Sequence, residues 1–362
     1  MKRILAIVLS ALILAVGAVF FAACAENGDG GETGGNGGDT GNNNGGTQQT
    51  VEADVYVPDG APALALAQLM SEEMQFGGKV EYNVVNASTI QAYVTSNDGD
   101  PQAELAVLPV NLAAKLLGTG ERYQMLGAVT HGNLYILGKT EGSITSENLH
   151  EAFEGKKVGC LQLNNFVGYV LRTVLSNADI KFDIRQDKGE TNDTKDTAYL
   201  YDVTGEEITP AAKFDLMIAA EPAVTRKTSK TSLKVVGDLQ ALYGTDGYPQ
   251  AVLVAKSSLI ETNPGFIADF IEAVDASADW LKTASAKDIY DAVAEHLGGA
   301  TPTFSEEDLT ADVIGRCAVR YEPAQDIKAR VTTFLSELSE AAEQTFTMAD
   351  AFFYAPVSAV VS

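Results

Sequence analysis

The chain has 362 residues, with 25 Lys and Arg against 49 Asp and Glu, a net charge of −24, and 46% apolar residues. That balance argues against nucleic acid and anionic lipid head groups as partners, because both are held through Lys and Arg. Three cysteines are too few for a disulfide scaffold or a four-thiolate zinc site, and 20% charged residues exclude a multi-span membrane protein, leaving a soluble chain long enough for two domains.

Lys2 and Arg3 precede an apolar run from Ile4 to Ala23 that closes on small residues, the pattern of a signal peptide. Phe21-Ala22-Ala23-Cys24 resembles the lipobox of bacterial lipoproteins. Cleavage after residue 23 and lipidation of Cys24 are therefore expected, and more than one acyl chain makes a stable anchor. From Ala25 to Thr50 the chain is Gly, Asn, Thr, Asp, Glu and Gln with nothing to bury, so residues 24–50 are expected to form a flexible linker. At roughly 26 residues its root-mean-square reach is about 25–30 Å.

From Val51 strands and helices alternate. Val51–Val57 reads as a strand, Pro58-Asp59-Gly60 as a turn, and Pro62 as the opening of an apolar helix through Met70. Lys79–Val85 is the next strand, with Ser88 as N-cap of a helix through Val94. Glu104–Leu108 is a buried strand and Asn111–Leu117 its helix, followed by strands Tyr123–Val129 and Leu134–Leu137. A second set runs Lys157–Leu161 (strand), Phe166–Ser176 (helix), Asp215–Ala219 (strand), Pro222–Thr228 (helix) and Leu233–Gly237 (strand). Lys181–Thr209, polar and acidic around Tyr199-Leu200-Tyr201, reads as a hairpin or surface insertion. After Ala251–Ala255 the chain turns helical, with apolar stripes along Phe266–Leu281 and Ala324–Leu338. The alternation implies an α/β fold with mainly parallel sheets.

Catalytic signatures are missing. The sequence has no nucleophile elbow, Walker loop, His-Glu-x-x-His or Cys-x-x-Cys, and His131, His150 and His296 are not spaced as metal ligands. Cys160 in a strand and Cys317 in a helix read as buried, inert thiols. No metal, no cofactor and no enzyme activity are expected. What recurs is a polar or glycine-bearing loop at the carboxyl end of each strand. These loops carry the candidate ligand-binding residues Asp59, Gly60 and Ala61, then Ser88, Asn111, His131 and Asn133, then Asn164, Asn165 and Glu221. In open α/β sheets ligands bind outside those strand ends. None of the loops holds Lys or Arg, so a neutral, zwitterionic or singly anionic organic solute fits better than a polyanion.

Val55-Tyr-Val-Pro-Asp-Gly-Ala-Pro-Ala-Leu-Ala-Leu66 resembles the opening of the substrate-binding proteins of ABC importers in the nitrate, sulfonate, taurine and thiamine-precursor group. Ala106-Val-Leu-Pro-Val-Asn-Leu-Ala-Ala114 with Gly132-Asn-Leu-Tyr-Ile136 is similar to the first-lobe pattern, and Ala220-Glu-Pro-Ala-Val224 to the second-lobe Glu-Pro signature. Tyr248–Leu253, Asn263-Pro-Gly-Phe266 and Ala324-Gln-Asp326 resemble the return segment and terminal helices, so the likeness runs from residue 54 to 340. It implies a type 2 periplasmic-binding-protein clamp, with lobe one from residues 51–138 and 250–362 and lobe two from 139–249. The implied crossovers lie near Leu137–Thr140 and Gly247–Gln250, with Gly138, Gly244 and Gly247 absorbing hinge rotation. It further implies a monomer outside the cytoplasm, tethered to the cell membrane through Cys24, that closes on a small solute and docks on a permease with its ATPase. A ligand sensor for a membrane signalling partner, and an enzyme of cofactor biosynthesis on the same fold, are the rival readings.

Overall fold

The computed structural model describes residues 50–96, 99–189 and 194–356. The expected signal peptide, Cys24 and all of the linker but Thr50 lie outside the described residues. Among the described residues no helix is long and apolar enough to cross a membrane.

Among the described residues twelve strands form two six-stranded sheets. The first holds β1 (Glu52–Pro58), β2 (Lys79–Val85), β3 (Leu105–Pro109), β4 (Tyr123–Thr130), β11 (Ala251–Lys256) and β12 (Val319–Pro323) in the order β12-β4-β11-β3-β1-β2. β1, β2, β3 and β4 share one direction, while β11 lies antiparallel between β3 and β4 and β12 closes the edge antiparallel to β4. The second holds β5 (Leu134–Gly138), β6 (Lys157–Leu161), β7 (Lys181–Arg185), β8 (Thr197–Val203), β9 (Leu216–Ala220) and β10 (Lys234–Asp238) in the order β10-β5-β9-β6-β8-β7. Here β9, β6, β8 and β7 run parallel and β5 is antiparallel to both its neighbours.

Both faces of the first sheet are covered, so its inner strands are apolar throughout. Leu105 and Val107 of β3 point with Leu253 of β11 into a core completed by Leu64, Leu69, Phe270 and Ile289. Ala106, Leu108, Val252 and Val254 point the opposite way, against Ile327, Val331 and Phe334 of the helix Ala324–Ala342. That helix also reaches the second sheet's layer. Phe334 stacks on Tyr248 with centroids 5.2 Å apart and meets Phe166 edge-on at 6.3 Å, and the Gln344 amide donates to the Tyr169 hydroxyl at 2.9 Å.

Four expectations are corrected. β5 belongs to the second sheet, paired with β9 and β10, so the chain changes sheet at residues 131–133 and not near Leu137–Thr140. Two strands separated by a short glycine-bearing turn read as neighbours, but here Gly132, at φ +102°, turns the chain out of one sheet into the other. Lys181–Thr209 is not an insertion: it supplies β7 and β8, β8 lies between β6 and β7, and its Tyr199, Leu200 and Tyr201 side chains are buried, the tyrosines on one face of the sheet and Leu200 on the other. Ser88 caps no helix. Its hydroxyl donates to the Asn86 carboxamide at 2.8 Å, and the helix Gln91–Val94 starts at Ile90 without a side-chain cap. The helix expected from Pro62 to Met70 is broken at Leu66 into Ala61–Leu64 and Ala67–Ser71.

Candidate functional site

Covalent geometry brings strand ends of the two sheets together. Only residues 131–133 join β4 to β5, a span of at most roughly 14 Å, and β5 begins where β9 ends, since Leu134 pairs with Ala220. The carboxyl ends of β1 to β4 therefore meet those of β6 and β9. The second passage, from β10 back to β11, crosses at residues 244–250 beside the first, where the Gln250 amide donates to the Thr130 carbonyl at 2.9 Å.

This junction layer collects buried polar atoms that lack hydrogen-bond partners. They include the side-chain oxygens of Asn111, Thr130, Asn133 and Gln250, both ring nitrogens of His131, Nε2 of Gln240 and Nε of Arg316. Backbone pairing sets several of them side by side, because the Val110 amide donates to the Gln250 carbonyl at 2.9 Å. Buried polar groups in folded proteins are nearly always paired, so such a gathering marks a place prepared for something else. His131 is 1% exposed. Burial first, then the Arg320 and Arg330 guanidiniums, hold its ring down to about 3, against a weaker pull from the Arg320 backbone, so the ring is neutral at physiological pH.

Two arginines bridge the layer. Arg316 follows β11 in the chain, yet its Nη2 lies 2.8 Å from Glu221 Oε1 just past β9 and donates to Thr225 Oγ1 at 2.6 Å. Glu221, whose side chain is fully buried, also accepts from the Thr225 hydroxyl at 2.9 Å and the Thr225 amide at 3.0 Å. The Arg316 guanidinium sits 5.7 Å from the centre of the Tyr135 ring. Farther along, Arg226 donates to the Thr303 carbonyl at 3.1 Å, and the Thr303 amide donates to Asp59 at 2.8 Å. Burial pushes the Asp59 carboxyl up, while the Thr303 and Gly60 amides pull it down.

A cavity of about 230 Å³ lies where the two passages meet, lined by His131, Tyr135, Gln240, Gly247, Gly315 and Arg320 among others. That is below the roughly 300–1,000 Å³ of pockets for drug-sized ligands. Its wall is tied down: the Gln240 side-chain oxygen accepts from the Leu134 amide at 2.6 Å and the Tyr248 hydroxyl at 3.0 Å.

The sequence-predicted residues divide into groups. Asn111, His131, Asn133 and Glu221 are buried in the junction layer, with the Asn133 Nδ2 donating to the Glu221 carbonyl at 2.9 Å. Asp59 and Gly60 are half-buried, and Ala61 is buried. Ser88, Asn164 and Asn165 are exposed. The Asn165 side chain accepts from the Phe166 amide at the start of the helix Phe166–Asn177, and the Asn164 carbonyl accepts from Tyr169. No hydrogen bond or ion pair among the described residues joins His131 or Asn133 to that pair. Asn111 does not cap its helix, which starts at Pro109 without a side-chain cap. Sequence reading missed Gln240, Gln250, Arg226 and, above all, Arg316. Arg316 ends a short helix, Ala311–Arg316, far from any strand-end loop, and nothing in its local pattern separates it from a surface arginine.

No model of a known protein family matches the chain, and no curated protein does. Solved structures do. An ABC transporter protein from Parabacteroides distasonis aligns over 84% of this chain and 99% of its own, at 21% identity and a TM-score of 0.65. The periplasmic aliphatic sulphonate binding protein of Escherichia coli aligns over 84% and 92%, at 15% identity and a TM-score of 0.59. The alkanesulfonate-binding protein of Xanthomonas axonopodis pv. citri, solved with MOPS bound, aligns over 84% and 98%, at 12% identity and a TM-score of 0.55. At these identities the likeness gives the fold, the two-lobe clamp of such binding proteins, with one lobe on each sheet.

Proposed function

We propose that the chain is the extracytoplasmic solute-binding lipoprotein of an ABC importer, tethered through Cys24. It takes a small neutral, zwitterionic or singly anionic organic solute between its lobes and delivers it to a membrane permease. The observation that carries this reading is the set of unpartnered buried polar atoms on Asn111, Thr130, Asn133, Gln250 and Arg316, gathered between two lobes of a clamp. A solute bonded to both lobes stabilises the closed arrangement by its differential affinity for it. Sulfonates are the first class to try, since two of the similar folds bind them. Glu221 and Arg316 offset one another, which agrees with a solute of little net charge.

Thermal unfolding of the full chain against sulfonates, carboxylates, amino acids, nitrate and thiamine precursors tests the reading. A solute at 100 times its dissociation constant adds roughly 2.7 kcal/mol of stability, a shift of several degrees. A panel with no shift, together with native mass spectrometry that finds the purified protein empty, would refute the proposal.

A further inference from the structure

The two lobes hold each other through one charge pair. Arg316 of the first lobe reaches across it, with Nη2 lying 2.8 Å from Glu221 Oε1 and donating to Thr225 Oγ1 at 2.6 Å, both in the second lobe. Its guanidinium sits 5.7 Å from the centre of the Tyr135 ring, and the Tyr135 hydroxyl donates to its carbonyl at 3.2 Å. Among the described residues no ion pair or hydrogen bond ties the guanidinium to the first lobe. Glu221 is oriented independently of Arg316, because Thr225 of its own lobe donates to one carboxylate oxygen from its amide and to the other from its hydroxyl. Both oxygens are thus taken by protein groups, so the carboxylate serves the opposite lobe and not a solute.

A rotation about residues 131–133 and 244–250 that parts the lobes takes Arg316 away from all of these contacts at once. The Glu221 side chain is fully buried, and a buried charge stripped of its partner is costly, so opening has to wet the carboxylate as well as break the pair. A second tie crosses the layer farther along, from Arg226 of the second lobe to the Thr303 carbonyl at 3.1 Å and from the Thr303 amide to Asp59 at 2.8 Å. We propose that Arg316, Glu221, Thr225 and Tyr135 form a latch that holds the clamp shut without help from a solute. Arg316 is then a positioning residue, and a solute enters or leaves only when the latch releases. The inference rests on the two-lobe clamp and not on what it binds, so it can fail while the solute-receptor reading stands.

Small-angle X-ray scattering of the full chain, dialysed free of small molecules, reads the closure. Arg316→Ala leaves Glu221 without a counter-charge in the closed state and should open the clamp, raising the radius of gyration by about 1 Å on the roughly 20 Å of a compact chain of this size. Adding Glu221→Gln removes that stranded charge, so the double variant should be more closed than Arg316→Ala alone, whereas general damage from two substitutions would open it further. Lys256→Gln is the control. It removes an ion pair inside the first lobe, to Glu104 at 2.7 Å and Asp100 at 3.0 Å, and should leave the radius unchanged. Tyr135→Phe deletes only the hydroxyl that bonds the Arg316 carbonyl and should give a smaller rise. Equal radii for wild type and Arg316→Ala overturn the proposal, as does a double variant more open than the single or an equal rise in Lys256→Gln. If circular dichroism finds Arg316→Ala unfolded, Tyr135→Phe decides in its place, and a wild-type radius there overturns the latch.

Discussion

Gly132→Ala is the sharpest perturbation of the passage between the lobes. Gly132 has φ +102°, beyond the left-handed region that an L-residue tolerates, so alanine there carries strain of about 1–3 kcal/mol. Its Cβ would also lie 2.2 Å from Cγ of Gln240, 3.0 Å from Cδ and 3.1 Å from Cζ of Tyr248. Gln240 has to move, and its side-chain oxygen then releases the Leu134 amide and the Tyr248 hydroxyl. Each bond contributes about 0.5–1.5 kcal/mol, with more lost where a buried amide is left unmet. The expected destabilisation is roughly 3–5 kcal/mol. Urea unfolding of the full chain, followed by far-ultraviolet circular dichroism, measures it. Gly244→Ala is the control: that residue is extended, at φ 172°, with open space at its Cβ position, so the change should stay within about 0.5 kcal/mol. In a Gln240→Ala background the Gly132→Ala cost should fall to the backbone strain alone. A Gly132→Ala protein within about 1 kcal/mol of wild type, or equal costs in the two backgrounds, would refute this account of the crossing.

Acid should act through His131. Its folded value, held down to about 3, lies below the roughly 6.5 of an unfolded histidine, so between these pH values the unfolded chain binds a proton that the folded chain refuses. Its contribution to stability is complete above about pH 6.5 and is lost as pH falls toward 3, at a slope of up to about 1.4 kcal/mol per pH unit. Urea midpoints from pH 7 to 4 should fall more steeply for wild type than for His131→Gln, and parallel slopes would contradict the burial argument. Burial also raises the Cys160 and Cys317 thiols well above their ordinary range. Neither should react with a disulfide reagent in the folded protein, and both should react in urea. A thiol that reacts while the protein is folded would report an unmodified Cys24.

The elements legible in the sequence are those whose pattern is local. Lys79–Val85 and Lys157–Leu161 have the strand bounds that their composition suggests, because alternating or continuous apolar residues between turn signals have few other ways to fold. Phe266 to Leu281 and Ala324 to Leu338 announce buried helix faces in the same way, and the core holds Phe270, Val274, Phe334 and Leu338. β7 and β8 were hidden because β8 carries tyrosines where an aliphatic run is expected, and β7, at the sheet edge, has no fully buried side chain. Of the candidate site, Asn111, His131, Asn133 and Glu221 could be picked out because polar residues at strand ends stand out against apolar strands.

The sequence by itself determined the class of fold, most of its strands and helices apart from β7, β8 and β12, and an acidic, cysteine-poor body without catalytic signatures, since periodicity and composition are properties of neighbouring residues. Which strands share a sheet, and so where one lobe ends, was decided by tertiary structure. β5 has two antiparallel partners, one of them about eighty residues away, and no local signal encodes a partner at that distance. Arg316 reaches the junction layer for the same reason. Its charge meets Glu221 only because two sheets, joined by two chain passages, close their strand ends on each other.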